Sequence, residues 1–425
     1  MHKQKKGANS KIFFLFIFLG ILIILSQQSD NINSNTSDNV EANVGTNYLE
    51  NVESSINSTA YILYRLADCT YNQSYSSFCY LDAANDFTSR FTLSEILDVF
   101  RENEQLQEVF SHCHEVTHYL SRNEYKRTKS IPEAYANCTA VCHGGCYHGV
   151  IESHFDQKGI PLYGADDSII ITEIRSVCKK PEDYTVPQLY NECIHGIGHA
   201  MMFITNGDLP YSLKLCDGLQ TLTDRESCYS GVFMESSSSS TNRDHPGKFI
   251  KHDDPLYPCN ILDSRYLNTC YTYQSSYFSI ITNYDWKKTI ALCNTVPINY
   301  RMGCFRFVGS NQVGYTQDLN LMKKDCDLIV EPQFKDVCIR GVVGSLNGRY
   351  NGDESKIIAF CSIADEENKQ SCYTEMGHDI RGWMRDEKEL RNKCLKIPEE
   401  KYRILCLSIV LSVDNASGTT ISVFK

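Results

Sequence analysis

Hydrophobic positions along the chain fall into three regimes. Residues 12–25, IFFLFIFLGILIIL, form an unbroken apolar run behind a basic start that carries His2, Lys3, Lys5, Lys6 and Lys11. Residues 27–58 are rich in Ser, Asn, Thr and Asp and offer little to bury, which predicts a solvated tether. Beyond it, stretches such as Leu106, Val109, Phe110, Val116 and Leu120 place apolar side chains at helical spacing. The basic flank followed by a short apolar core predicts export, and no A-x-A-like cleavage site follows in SQQSD. The expected layout is a basic cytoplasmic tail over 1–11, a signal anchor or transmembrane segment over 12–26 and the tether over 27–58. The rest of the chain then faces outside the cytoplasm, or is secreted if the segment is cleaved.

Polar residues punctuate the remainder regularly. An Asp stands eight positions before a Cys five times: Asp208 and Cys216, Asp285 and Cys293, Asp318 and Cys326, Asp353 and Cys361, Asp386 and Cys394. A carboxylate in that position caps a two-turn helix and suits its positive end. Asp365, inside the loop from Cys361 to Cys372, is expected to matter little. Pro187, Pro297, Pro332 and Pro398 sit where a longer helix begins and a missing N–H costs nothing. Gly follows the second cysteine at plus three in Cys146/Gly149, Cys193/Gly196, Cys228/Gly231 and Cys338/Gly341, which predicts close approach of a neighbouring helix.

The chain holds 20 cysteines, which fits an oxidising exterior. They pair sequentially as Cys69/Cys79, Cys138/Cys146, Cys178/Cys193, Cys216/Cys228, Cys259/Cys270, Cys293/Cys304, Cys326/Cys338, Cys361/Cys372 and Cys394/Cys406, leaving Cys113 and Cys142 for a tenth bridge. Paired C-x2-C knuckles are absent, which argues against zinc as the use of these thiols. Sequons begin at Asn35, Asn57, Asn72, Asn137 and Asn415. A net charge of -11, with no basic stripe beyond the first residues, excludes nucleic acid as a partner.

First cysteines from Cys259 onward recur at intervals of 34, 33, 35 and 33 residues. On that period, the cysteine before the loop, the cysteine opening the next helix and the small residue after it, residues 178–410 resemble disulfide-linked, cysteine-rich helical-repeat proteins secreted by some bacteria. More distantly they resemble tetratricopeptide repeats. The resemblance implies an all-α, disulfide-stapled α-hairpin repeat solenoid that acts as a binding scaffold, with His/Cys-rich repeats over 59–205 and Cys-paired repeats over 206–425. It brings no functional residue with it. A protein or peptide partner is expected on the concave face.

The histidines carry the candidate chemistry. His114 with His118, and His195 with His199, are i, i+4 pairs that place two imidazoles on one helix face, and His148 and His195 both stand second after a helix-opening cysteine. These five residues are the expected ligands for zinc, copper or iron. Glu115, Glu152 or Glu235 could add a carboxylate or orient a ring. His114-Glu115-Val116-Thr117-His118 also satisfies H-E-x-x-H, in which Glu115 would be the general base of a metal-dependent hydrolase. C-x3-C-H at Cys138, Cys142 and His143 is one residue longer than a haem-attachment motif. The Ser-rich insertion over 236–258, with His245 and His252, reads as a solvated loop or a lid over the histidines. The sequence thus supports a membrane-anchored scaffold with a histidine metal site, with a metal-dependent hydrolase or a metal-free interaction array as the alternatives.

Overall fold

The computed structural model describes residues 58–72, 77–139, 141–142, 144–158, 167–238, 247–350 and 352–412. The described chain is all helical. In order, α1 is Ser58–Ala67, α2 Ser77–Arg90, α3 Leu93–Glu102, α4 Gln107–Thr128, α5 Ile131–Ala136, α6 Gly145–Gln157, α7 Asp167–Val177, α8 Pro187–Ile204, α9 Leu209–Cys216 and α10 Leu222–Ser238. There follow α11 Ser264–Ile281, α12 Trp286–Cys293, α13 Arg301–Tyr315, α14 Leu319–Cys326, α15 Pro332–Arg349, α16 Glu354–Ile363, α17 Glu366–Trp383, α18 Glu387–Leu395 and α19 Glu400–Val410.

The short helices start where the aspartates stand. Asp208 accepts from the Tyr211 N–H at 3.1 Å, Asp285 from Lys288 at 3.2 Å, Asp318 from Asn320 at 2.9 Å, Asp353 from Ser355 at 2.9 Å and Asp386 from Glu389 at 2.8 Å. Each satisfies an N–H that the first turn leaves without an intrahelical partner. Asp365 departs from its expected idleness. It precedes α17 and binds the ammonium groups of Lys323, at 2.8 Å, and Lys335.

Ten disulfides join Cys69–Cys79, Cys113–Cys142, Cys138–Cys146, Cys178–Cys193, Cys216–Cys228, Cys259–Cys270, Cys293–Cys304, Cys326–Cys338, Cys361–Cys372 and Cys394–Cys406. No cysteine is left free, so Cys138 and Cys142 hold no thiol for a haem thioether. Each of α2, α4, α6, α8, α10, α11, α13, α15, α17 and α19 contains one bridged cysteine, and each packs against the next in that row. The half-cystines are almost all fully buried, so the bridges are themselves core.

Glycine sets the spacing between these helices. A Cβ on Gly341 of α15 would lie 1.8 Å from the Arg306 carbonyl oxygen on α13, so backbone meets backbone there without a side chain between. Gly341→Ala should therefore force the two helices apart and cost about 1 to 3 kcal/mol by overpacking, read as a lower midpoint in urea. A midpoint equal to wild type would show that the contact yields freely.

Three expectations need correction. A solenoid's units touch only their neighbours, but here α17 packs on α8 and α13 on α4. Gln317 donates to the Glu104 carbonyl at 2.8 Å, and the Arg349 guanidinium lies 4.0 Å over the Phe110 ring. The protein or peptide partner expected on the concave face has no support among the described residues, and buried polar clusters lie between the helices. In one of these, Glu375 accepts from Arg340 at 2.7 Å and pairs with Arg306. The membrane anchor, and with it the anchored, outward-facing location, is likewise corrected. No helix among the described residues is long and apolar enough to cross a membrane, and residues 12–26 lie outside the described residues.

The same buried cluster contains Asp379, whose Oδ2 has no hydrogen-bond partner. Burial, aided by the charge of Glu375 and opposed by Arg306 and Arg340, pushes its carboxyl up to about 7. An unfolded Asp loses its proton near 4, so between those values the folded state holds the extra proton and stability falls as pH rises. Asp379→Asn should thus gain stability relative to wild type at pH 8 and lose that advantage at pH 5, by denaturant midpoints at the two pH values. A difference independent of pH would reject this account.

Candidate metal centre

Three consecutive helices of the row carry the imidazoles. His114 and His118 lie one turn apart on α4, His195 and His199 one turn apart on α8, and His148 is on α6, which packs against both. The approach is close because α6 opens with small residues. A Cβ on Gly149 would lie 2.3 Å from the His118 carbonyl oxygen. The result is a knot of five rings in which His148 is central. Its centroid lies 5.6, 5.4, 4.9 and 4.7 Å from those of His114, His118, His195 and His199.

Hydrogen bonds at the outer edge of the knot fix the tautomers. His114 Nδ1 lies 2.8 Å from the Cys142 carbonyl oxygen, which can only accept, so this nitrogen carries a proton. His118 Nδ1 donates to Glu152 Oε1 at 2.9 Å, and His199 Nδ1 to Glu235 Oε2 at 3.0 Å. The Ser230 hydroxyl gives its hydrogen to the Ser227 carbonyl at 2.6 Å, so its oxygen accepts from His195 Nδ1 at 2.6 Å. All four rings thereby turn Nε2 inward. The Nε2 atoms of His114 and His118 are 3.2 Å apart, and those of His195 and His199 are 3.1 Å apart. His148 is held the other way round. Its Nε2 is 3.1 Å from Glu192 Oε2, and its buried Nδ1 has no partner.

The electrostatics favour neutral rings at three of the five positions. Burial, reinforced by neighbouring imidazoles, lowers His114 to about 3 and holds His148 and His195 well below the usual histidine value. Burial alone would raise Glu152, but Arg122 and His118 outweigh it and keep the carboxylate ionised, with Arg122 Nε donating to Oε2 at 2.7 Å. Burial also opposes ionisation of Glu235, and His199 overcomes it. Glu192, buried with only Gln188 to offset the cost, is pushed up to about 7.

Ligand atoms come within 4.8 Å of one another in three overlapping groups: His114, His118 and His148; His148, His195 and His199; and His118, Glu152 and His199. Clustered His and Glu side chains could therefore chelate a metal ion. All five expected histidines are in these groups, and Glu152 and Glu235 stand behind them. Glu115 is in none. It lies about 100° round the helix from His114 and accepts from the Tyr119 hydroxyl at 2.9 Å. The parts not foreseen are Ser230, Glu192, Arg122 and the Cys142 carbonyl. Ser230 had a signal, since it stands second after Cys228 as His148 and His195 do after their own cysteines. Of the insertion over 236–258 expected as a loop or lid, residues 239–246 lie outside the described residues.

No protein-family model matches the chain, and no curated protein and no solved structure resembles it closely enough to count as a match.

Proposed function

We propose that this protein binds a divalent transition metal through Nε2 of His114, His118, His195 and His199 and Nδ1 of His148. The observation that carries the reading is the facing of bare nitrogens. Four Nδ1 atoms are committed as donors outward, so in neutral rings two pairs of Nε2 lone pairs oppose each other at 3.2 and 3.1 Å. Lone pairs in that relation repel unless a cation lies between them. His148 adds a fifth buried nitrogen with nothing to bond. Each ring has one nitrogen held by the protein and one left for an ion, the arrangement that fixes a ligating histidine's tautomer and direction.

Zinc, copper and iron all accept imidazole nitrogen. The donor atoms form overlapping groups of three, not one set of five, so the ion we assign is a transition metal of this class. Glu152 and Glu235 would offset its charge. The test is metal analysis and thermal unfolding of the disulfide-bonded protein, purified without a polyhistidine tag and compared with and without chelator. Tight, stoichiometric uptake of one of these ions supports the reading. A protein that takes up no ion, and is indifferent to chelator, overturns it, leaving protonated rings in hydrogen bonds as the explanation of the short Nε2 contacts.

A further inference from the structure

A pocket of about 330 Å³, open to solvent on the side where Lys126 and Asp156 are exposed, lies beside the imidazole knot between α2, α4, α6 and α8. Its placement follows from helical spacing. The knot occupies positions 114 and 118 of α4, 148 and 152 of α6, and 195 and 199 of α8. One turn further on, the same helices present Arg122, Asp156 and Phe203 to the cavity, while Glu152 belongs to both. The cavity floor is a finished structure. Arg122 is clamped on Glu152, and its guanidinium lies 5.5 Å over the Tyr119 ring and 4.7 Å over the Phe203 ring.

Above that floor the walls differ in charge. α4 contributes Arg122 and, one turn later, Lys126; α6 contributes Glu152 and, one turn later, Asp156. The inner pair neutralise each other. The outer pair do not: among the described residues neither Lys126 nor Asp156 is bonded to another side chain, although both line the cavity. Asn85, Asn123 and Ser153 add neutral donors and acceptors, and Leu81, Tyr119 and Phe203 add apolar surface.

We propose that this cavity is a binding site for a small zwitterion, a free amino acid with an apolar side chain. Its carboxylate meets Lys126, its ammonium meets Asp156, and its side chain lies against Leu81, Tyr119 and Phe203. A molecule bearing only one charge would leave the other wall unanswered, and a space this small is at the lower limit of ligand pockets. The proposal stands apart from the metal reading, because none of its contacts is an imidazole of the knot.

The experiment is calorimetric titration of the full-length, disulfide-bonded protein with three probes: L-leucine, 4-methylpentanoate, which lacks the ammonium, and 3-methylbutylamine, which lacks the carboxylate. Leucine should bind saturably, and each singly charged analogue should bind at least about tenfold more weakly. Lys126→Ala should weaken leucine and leave the amine unchanged, whereas Asp156→Ala should weaken leucine and leave the acid unchanged. Phe203→Trp, which fills the space, should abolish binding of all three. Absence of saturable leucine binding, or equal affinity for the three probes, overturns the proposal. The same titration decides the matter in a protein that carries no metal, since the cavity's contacts do not depend on the ion.

Discussion

Chelator lowers the melting temperature of the wild-type protein, and His118→Ala or His195→Ala lowers both stability and bound metal while shrinking the chelator effect. This is the expected outcome because an ion bound only by the folded state stabilises it by mass action, about 4 kcal/mol when free metal stands at a thousand times the dissociation constant. The unfolded chain cannot gather ligands from α4, α6 and α8. His154 supplies the contrast. Its Nδ1 is 2.7 Å from the Tyr125 hydroxyl and its Nε2 is 2.7 Å from Glu173, so both nitrogens already have protein partners. His154→Ala should lose stability yet retain the full metal content and the full chelator effect. If His118→Ala and His154→Ala behave alike, with metal unchanged in both, the knot is a set of hydrogen-bonded histidines and the metal assignment fails. Glu152→Gln refines the result, since it keeps the side chain's shape and removes a charge that faces His118 Nδ1. Metal affinity should drop by about 10-fold to 100-fold, as for other partners standing behind a metal ligand.

Reduction of the disulfides is expected to unfold the protein without denaturant. A bridge that restrains the unfolded chain contributes roughly 2 to 4 kcal/mol, and a domain's whole stability is only about 5 to 15 kcal/mol. Ten such bridges, most of them closing loops of 8 to 15 residues, cannot all be removed within that margin. The half-cystines are also almost all buried, so each thiol pair left behind disrupts packing as well as chain entropy. Circular dichroism of the reduced, alkylated protein should show most of the helical signal lost. The double variant Cys361→Ala/Cys372→Ala should cost only the single-bridge amount. Retention of the native melting temperature after complete reduction would mean that helix packing alone holds the fold.

What the sequence by itself determined is what acts over short distances along the chain. The aspartate caps were legible because a cap bonds an N–H two or three residues away, so residue type and position suffice. The glycines of close approach and the i, i+4 histidine pairs were legible for the same reason, since each is a property of one helix face. The tertiary structure decided everything that depends on a partner from another helix. Which nitrogen points inward in four of the five imidazoles is set by acceptors 28, 34, 35 and 36 residues away. Asp365 looked idle in its loop, but lysines 42 and 30 residues earlier make it an ion-pair centre. Glu115 stands one residue from a ligand candidate in the sequence, and only the structure shows that Tyr119 donates to it. A repeating period specifies that each unit meets the next. It contains no information on whether α17 returns to α8, because that contact is made by residues such as Gly382 and Gln188, which no local rule brings together.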